Sequence, residues 1–212
     1  MNKDKKMYVA LSIFGVILII SIAFIIISMY NQQNSRNNDI NNKKQLEKII
    51  NKSDVKTVGS KNSKNQIVVF SDYRCPDCYN FHKQYKNELY KLIKQGHISY
   101  TEVPYKVIDK KSDKYASIDI AAGKVLNDED YLKFKDKAYN LAINNNSNVK
   151  NSINQFNQQQ QNKILKFYNK NYKINNSLGE LMNVNSTPTI FVNGKQVPVS
   201  YTHLTLPTNR EV

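Results

Sequence analysis

The sequence predicts an α/β domain with a helical block set into its middle, and three observations predict it. A short apolar run, Ile67–Phe70, gives way to a helical pattern and then to an alternating segment around Ile98, Tyr100 and Val103. From Lys114 to Met182 the pattern is helical, interrupted by an Asn-rich break at Asn144–Asn146. A second apolar run, Thr189–Val192, then meets Asn193-Gly194, a strong two-residue hairpin signal.

The elements follow in order. Residues 1–7 carry Lys3, Lys5 and Lys6, and residues 8–30 carry no charge. Those 23 residues would rise roughly 34 Å as a helix, enough for a hydrocarbon core of about 30 Å. The lysines before the run place 1–7 in the cytoplasm and the rest outside, as a single-pass membrane protein. A cleaved signal peptide fits less well, because its apolar core would span only about 7–15 residues and end in a small-x-small site. No cysteine follows the run, so a lipoprotein anchor is excluded. Residues 31–58 read as a polar tether ending in a short helix, with Leu46, Ile49 and Ile50 at helical spacing. Residues 59–65 form a polar turn region, and the main domain is expected over 59–198.

Ile67–Phe70 reads as a buried strand, and Tyr79–Lys94 as a helix that turns Phe81, Tyr85, Leu89, Leu92 and Ile93 inward and ends at Gly96. His97–Tyr105 suits a second strand. The helical block reads as Lys114–Ile143, a break at Asn144–Asn146, then Val149–Tyr172 and Ser177–Met182. Residues 199–212 lack both Lys and Ile and resemble a translated sequencing adapter joined near Val197–Val199. The expectation is that the closing strand and helix of the domain are missing from this chain.

Lys and Arg number 31 against 17 Asp and Glu, a net charge of +14. The basic residues are nearly all lysines scattered among Asn and Ile rather than gathered in a patch, so nucleic acid is not an expected partner. Outside a membrane such a surface meets anionic lipid or cell-wall polymer.

The two cysteines form Cys75-Pro76-Asp77-Cys78, directly after the first strand. One pair at this spacing makes no structural disulfide framework, but outside the cytosol it can cycle between dithiol and disulfide. Exchange needs a thiolate. Cys75 at a helix start receives unsatisfied N–H groups and the positive end of the dipole, and Pro76 suits the first turn. Cys78 lies one turn behind and can resolve a mixed disulfide. Arg74 is expected to favour the thiolate and Asp77 to oppose it, giving a milder thiolate than a neutral or basic residue at 77 would. The rival is half a zinc site completed by His82, although tetrahedral zinc needs four ligands and no second CxxC exists. On base rates alone, the Thr187-Pro188 bond is trans.

Phe70–Cys78 and Thr187–Gly194, about 110 residues apart, resemble together the DsbA-like thiol-disulfide oxidoreductases. The layout is similar to that of the membrane-tethered members of Gram-positive bacteria. The resemblance covers roughly Gly59–Lys195 and implies a thioredoxin fold with an inserted helical domain, here about residues 114–182. It implies Cys75 as nucleophile, Cys78 as resolving thiol, Pro188 as a cis-proline facing them, and Thr187 offering backbone groups to an extended substrate. No cofactor is implied. Some members carry a buried acid six positions before the nucleophile; here Val69 stands there, with Glu102 on the next strand as a substitute candidate. The expected activity is oxidation of reduced secreted proteins, with reoxidation by a quinone-linked membrane partner or external oxidants. The alternatives are a tethered reductase serving cytochrome maturation or disulfide repair, and a tethered peptide-binding chaperone.

Overall fold

The computed structural model describes residues 3–60, 62–146, 148–170 and 176–199, and of 3–19 and Leu178 only the backbone. The chain falls into two units, Met1–Asn41 and Asn42–Val212. The first consists of one helix, α1 (Lys3–Lys52), whose last turns belong to the second unit. Residues 31–42, expected as a tether, continue this helix without a break. Ile20, Phe24 and Tyr30 on it are exposed. Among the described residues no helix is long and apolar enough to cross a membrane; within the run 8–30, side chains are described only from Ile20 onward.

In the second unit five strands order themselves β1-β3-β2-β4-β5. They are β1 (Thr57–Gly59), β2 (Asn65–Ser71), β3 (Ile98–Pro104), β4 (Thr189–Val192) and β5 (Lys195–Val197). β2 lies parallel to β3 and antiparallel to β4, while β1 and β5 close the edges antiparallel. β1 falls where only tether and turn were expected; it is short because Gly59 turns away with φ +88°. β5 is the second strand of the hairpin that Asn193-Gly194 signals, and it forms the edge of the sheet. Asn193 and Gly194 take φ of 53° and 87°, which a two-residue turn of this kind requires. The adapter reading falls on residues 199–212, of which all but Val199 lie outside the described residues.

β2 is apolar continuously because both faces of the sheet are covered. Val68, Phe70 and Phe191 point toward Leu46, Ile49, Met182 and Val184. Ile67, Val69 and Ile190 point the other way, toward α2 (Pro76–Lys94) and the helical insertion. Between β3 and β4 that insertion comprises α3 (Lys111–Gly123), α4 (Asp128–Ile143), a 3-10 turn (Val149–Ile153), α5 (Gln158–Tyr168) and α6 (Ser177–Glu180).

The two long helical patterns of the sequence each divide. Asn127 accepts from the Asp130 N–H and starts α4, with three acids in its first turn. Asn157 and Gln160 form a reciprocal capping box that starts α5, leaving Val149–Ile153 as a separate turn.

Candidate active site

Central strand β2 ends at Ser71, and the next residue fixes the turn that follows. Asp72 is buried and accepts from the N–H groups of Arg74 at 2.9 Å, Val107 at 2.9 Å and Ile108 at 3.1 Å, and from the Ser112 hydroxyl at 2.9 Å. Its carbonyl accepts from the Cys75 N–H at 3.0 Å. So held, Cys75 is the extended residue that precedes α2, and Pro76 is the first helical residue, where its missing N–H costs nothing. Cys78 is one turn on, inside the helix. Cys75 is 6% exposed and Cys78 1%. Both are free thiols.

The Thr187-Pro188 bond is cis, the geometry implied by the family resemblance and not by base rates. It brings the Thr187 carbonyl to 3.3 Å from Cys75 Sγ, which donates to it. The Thr187 hydroxyl is buried, has no hydrogen-bond partner among the described residues, and favours the thiolate of Cys75. All four predicted core site residues, Cys75, Cys78, Thr187 and Pro188, therefore meet at one point.

Cys75 is drawn down from 9.0 to about 6. A hydrogen bond from the Cys78 thiol does most of this. Burial opposes it, and the Thr187 hydroxyl and the N–H groups of Cys78 and Asp77 add to it. Cys78 moves the other way, pushed up by burial and by donating to Cys75. The surroundings therefore favour the thiolate at Cys75 and the thiol at Cys78.

Two expected tuning residues act differently. Arg74 turns its guanidinium away from the sulfur: Nη1 donates to the Ala142 carbonyl at 3.1 Å and Asn145 Oδ1 at 2.8 Å, and Nη2 pairs with Asp109 at 3.0 Å. It fastens the catalytic turn to the end of α4. Asp77 contributes through its backbone N–H, which favours the thiolate, while its side chain is exposed.

Beneath the dithiol lies a buried ionic cluster that the sequence reading found only in part. Glu102 stands opposite Val69 in the parallel register of β2 and β3. Lys135 Nζ of α4 sits 3.1 Å from Glu102 Oε2 and 3.6 Å from Asp119 Oδ1, off the hydrogen-bond direction, and 4.6 Å above the Tyr73 ring. Ser71 and Tyr139 also donate to Glu102, as does Tyr100 at 3.0 Å. Tyr73 and Tyr131 donate to Asp119 at 2.8 and 2.7 Å.

Burial raises the Glu102 carboxyl, but Lys135 and the hydroxyls outweigh it and the net shift is downward. At Asp119 burial wins over Lys135 and the net shift is upward. Tyr100 and Tyr139 are close enough to feel charge on Cys78, so the cluster adjoins the resolving thiol. His82, the candidate third zinc ligand, instead pairs with Asp136 at 2.6 Å and stacks on Tyr139. Among the described residues no three His, Cys, Asp or Glu side chains are grouped to hold a metal ion.

The sequence matches the family profile described as thioredoxin over residues 51–206. No curated protein matches it in sequence. Among solved structures it is similar to oxidised BdbD from Bacillus subtilis, at 19% identity over 68% of this chain and 84% of that one, with a TM-score of 0.55. Reduced DsbA from Mycobacterium tuberculosis is 17% identical over 68% and 85%, with a TM-score of 0.55. MdbA from Corynebacterium matruchotii, a thiol-disulfide oxidoreductase, is 16% identical over 71% and 86%, with a TM-score of 0.61. At these identities the likeness is one of fold.

Proposed function

The chain belongs to the thioredoxin family, with a DsbA-like helical insertion, and from that premise we propose that it is a protein thiol-disulfide oxidoreductase that oxidises reduced secreted proteins. The single observation that carries this is the asymmetric pair: Cys75 with a pKa of about 6, facing cis-Pro188, and Cys78 buried behind it.

The exchange begins from the disulfide form. A client thiol loses its proton and its sulfur attacks Cys75 Sγ. The Cys75–Cys78 bond breaks, and Cys78 leaves with the electron pair and takes up a proton. A second client thiolate attacks the client sulfur of the mixed disulfide and expels Cys75 as a thiolate, a good leaving group because its pKa is low. The client has lost two electrons and two protons, and the protein has gained two electrons. A quinone-linked membrane partner or an external oxidant would restore the disulfide. Thr187 at the cis bond would offer backbone groups to the extended client.

The working place we propose is the outer face of a membrane, with residues 8–30 as the anchor. The support is the uncharged run itself, with lysines before it and Asn and Gln after it. Deleting residues 1–42 is expected to move the protein from the membrane to the aqueous fraction.

Reduced, unfolded ribonuclease tests the activity. The oxidised protein is expected to restore ribonuclease activity, and Cys75→Ser to abolish it. Cys78→Ser, offered ribonuclease with scrambled disulfides instead, is expected to accumulate mixed disulfides that dithiothreitol releases, Cys75 attacking a client disulfide and expelling one client sulfur as a thiolate. No accumulation would remove the enzymatic reading and leave a peptide-binding module. Direction is read from the potential of the pair in glutathione buffers. A value near thioredoxin's, about −270 mV, would make it a reductase; a value on the oxidising side of about −200 mV is expected.

A further inference from the structure

α2 presents Asp77, Phe81 and Tyr85 at helical spacing along one face, and this face meets Thr187 and Pro188 across an open cavity of about 330 Å³. The cavity starts beside the nucleophile, since Thr187 is the residue whose carbonyl lies 3.3 Å from Cys75 Sγ. Its volume sits at the low end of ligand clefts, about 300–1,000 Å³, with room for a side chain or two. Phe81 and Tyr85 form its apolar wall, with ring centroids 5.1 Å apart. Asn80 and Gln84 add amides at the rim.

Asp77 stands at the catalytic end of this cleft, exposed, and no cation is paired with it among the described residues. Elsewhere in the domain acids are mostly neutralised: Asp109 by Arg74, Asp113 by Lys106, Asp128 by Lys56 and Asp136 by Lys86. In a chain with 31 basic and 17 acidic residues, an open carboxylate two positions from the nucleophile is conspicuous. We infer that Asp77 is a specificity residue, and that this cleft takes client segments with a lysine or arginine beside the reacting cysteine. The cation's aliphatic stem would lie on Phe81 and Tyr85 while its head reaches the carboxylate. The bland alternative is that Asp77 only complements the dipole at the start of α2.

This inference rests on the oxidoreductase reading, and one experiment separates the two. The full oxidised chain is mixed with excess single-cysteine peptides that differ only in Lys, Ala or Glu beside the cysteine. The rate of reduction of the Cys75–Cys78 disulfide is followed, two peptide thiols yielding one peptide disulfide and the dithiol protein. The Lys peptide is expected to react about fivefold faster than the Glu peptide at low salt, the scale of an exposed charge pair. The ratio should shrink in 0.5 M NaCl, on the order of a 4 Å Debye length. Asp77→Asn should bring it to about one, and Asp77→Lys should invert it. Any effect of these variants on Cys75 itself cancels in the ratio. Equal wild-type rates, or a ratio that survives Asp77→Asn, overturns the inference while leaving the activity standing. If no peptide reduces the wild-type disulfide, the oxidoreductase reading falls and this one with it.

Discussion

At neutral pH a thiol with a pKa of about 6 is mostly ionised, so Cys75 should react with iodoacetamide at a rate that rises with a midpoint near pH 6. Thr187→Val removes a buried hydroxyl that favours the thiolate and should raise that midpoint by about one unit. Stability carries the same sign. The folded pKa lies below the unfolded value of 9.0, so ionisation stabilises the dithiol form fully above about pH 9. That contribution is lost as the pH falls through about 6. Urea unfolding of the reduced protein against Cys75→Ser across this range would show it.

Both motifs of the site were legible in sequence because each is contiguous. The part Arg74 plays is not legible in sequence because its partners, Asp109, Ala142 and Asn145, are far along the chain. Lys135 and Asp119 left a fainter signal. Glu102 shares the inward parity of Ile98 and Tyr100, and Lys135 sits in helical register with buried Tyr131, Ala138 and Ala142. A charge on an apolar stripe is visible, but its partner is not until two elements pack.

Among the elements, existence and order could be read from periodicity, and boundaries depended on asparagines. Asn127, Asn148 and Asn157 each cap a helix or turn in a region so rich in asparagine that composition alone cannot single them out. β1 had no hydrophobic pattern to announce it, and it is held by distant partners. Thr57 bonds the Thr101 hydroxyl at 2.7 Å, and Gly59 N–H donates to Asp128 Oδ2 at 2.8 Å. A Cβ on Gly59 would lie 2.5 Å from the Ile98 carbonyl oxygen, in a conformation that side chains rarely adopt. Gly59→Ala should therefore cost about 2 kcal/mol or more, seen as a lower urea midpoint with an unchanged slope.

On the scale of the whole domain, Lys135 joins the insertion to the sheet, because it reaches from α4 to Glu102 on β3 while Asp119 comes from α3. Lys135→Met would leave two carboxylates in the core with no cation. The expected loss is about 3–5 kcal/mol at pH 8. It should be smaller at pH 5, where those carboxylates can be protonated. Adding Glu102→Gln and Asp119→Asn should recover much of it, since an ion cluster replaced as a set is far less costly than one broken. Unfolding curves at the two pH values for the single and triple variants check both statements. The insertion itself was legible as a long helical interval between strands, but how it is fastened was not, because the fastening uses one residue from each of three elements.

Asp72 carries a consequence of another kind. Its carboxylate gathers donors from the catalytic turn, from Val107 and Ile108 beyond β3, and from Ser112 at the start of α3. The nucleophile's seat and the doorway into the insertion are thus one mechanical part. A displacement of the start of α3 would reach the catalytic turn through that one carboxylate. A client that leaned on the insertion while it reacted would be pushing on the trigger as well as on the handle.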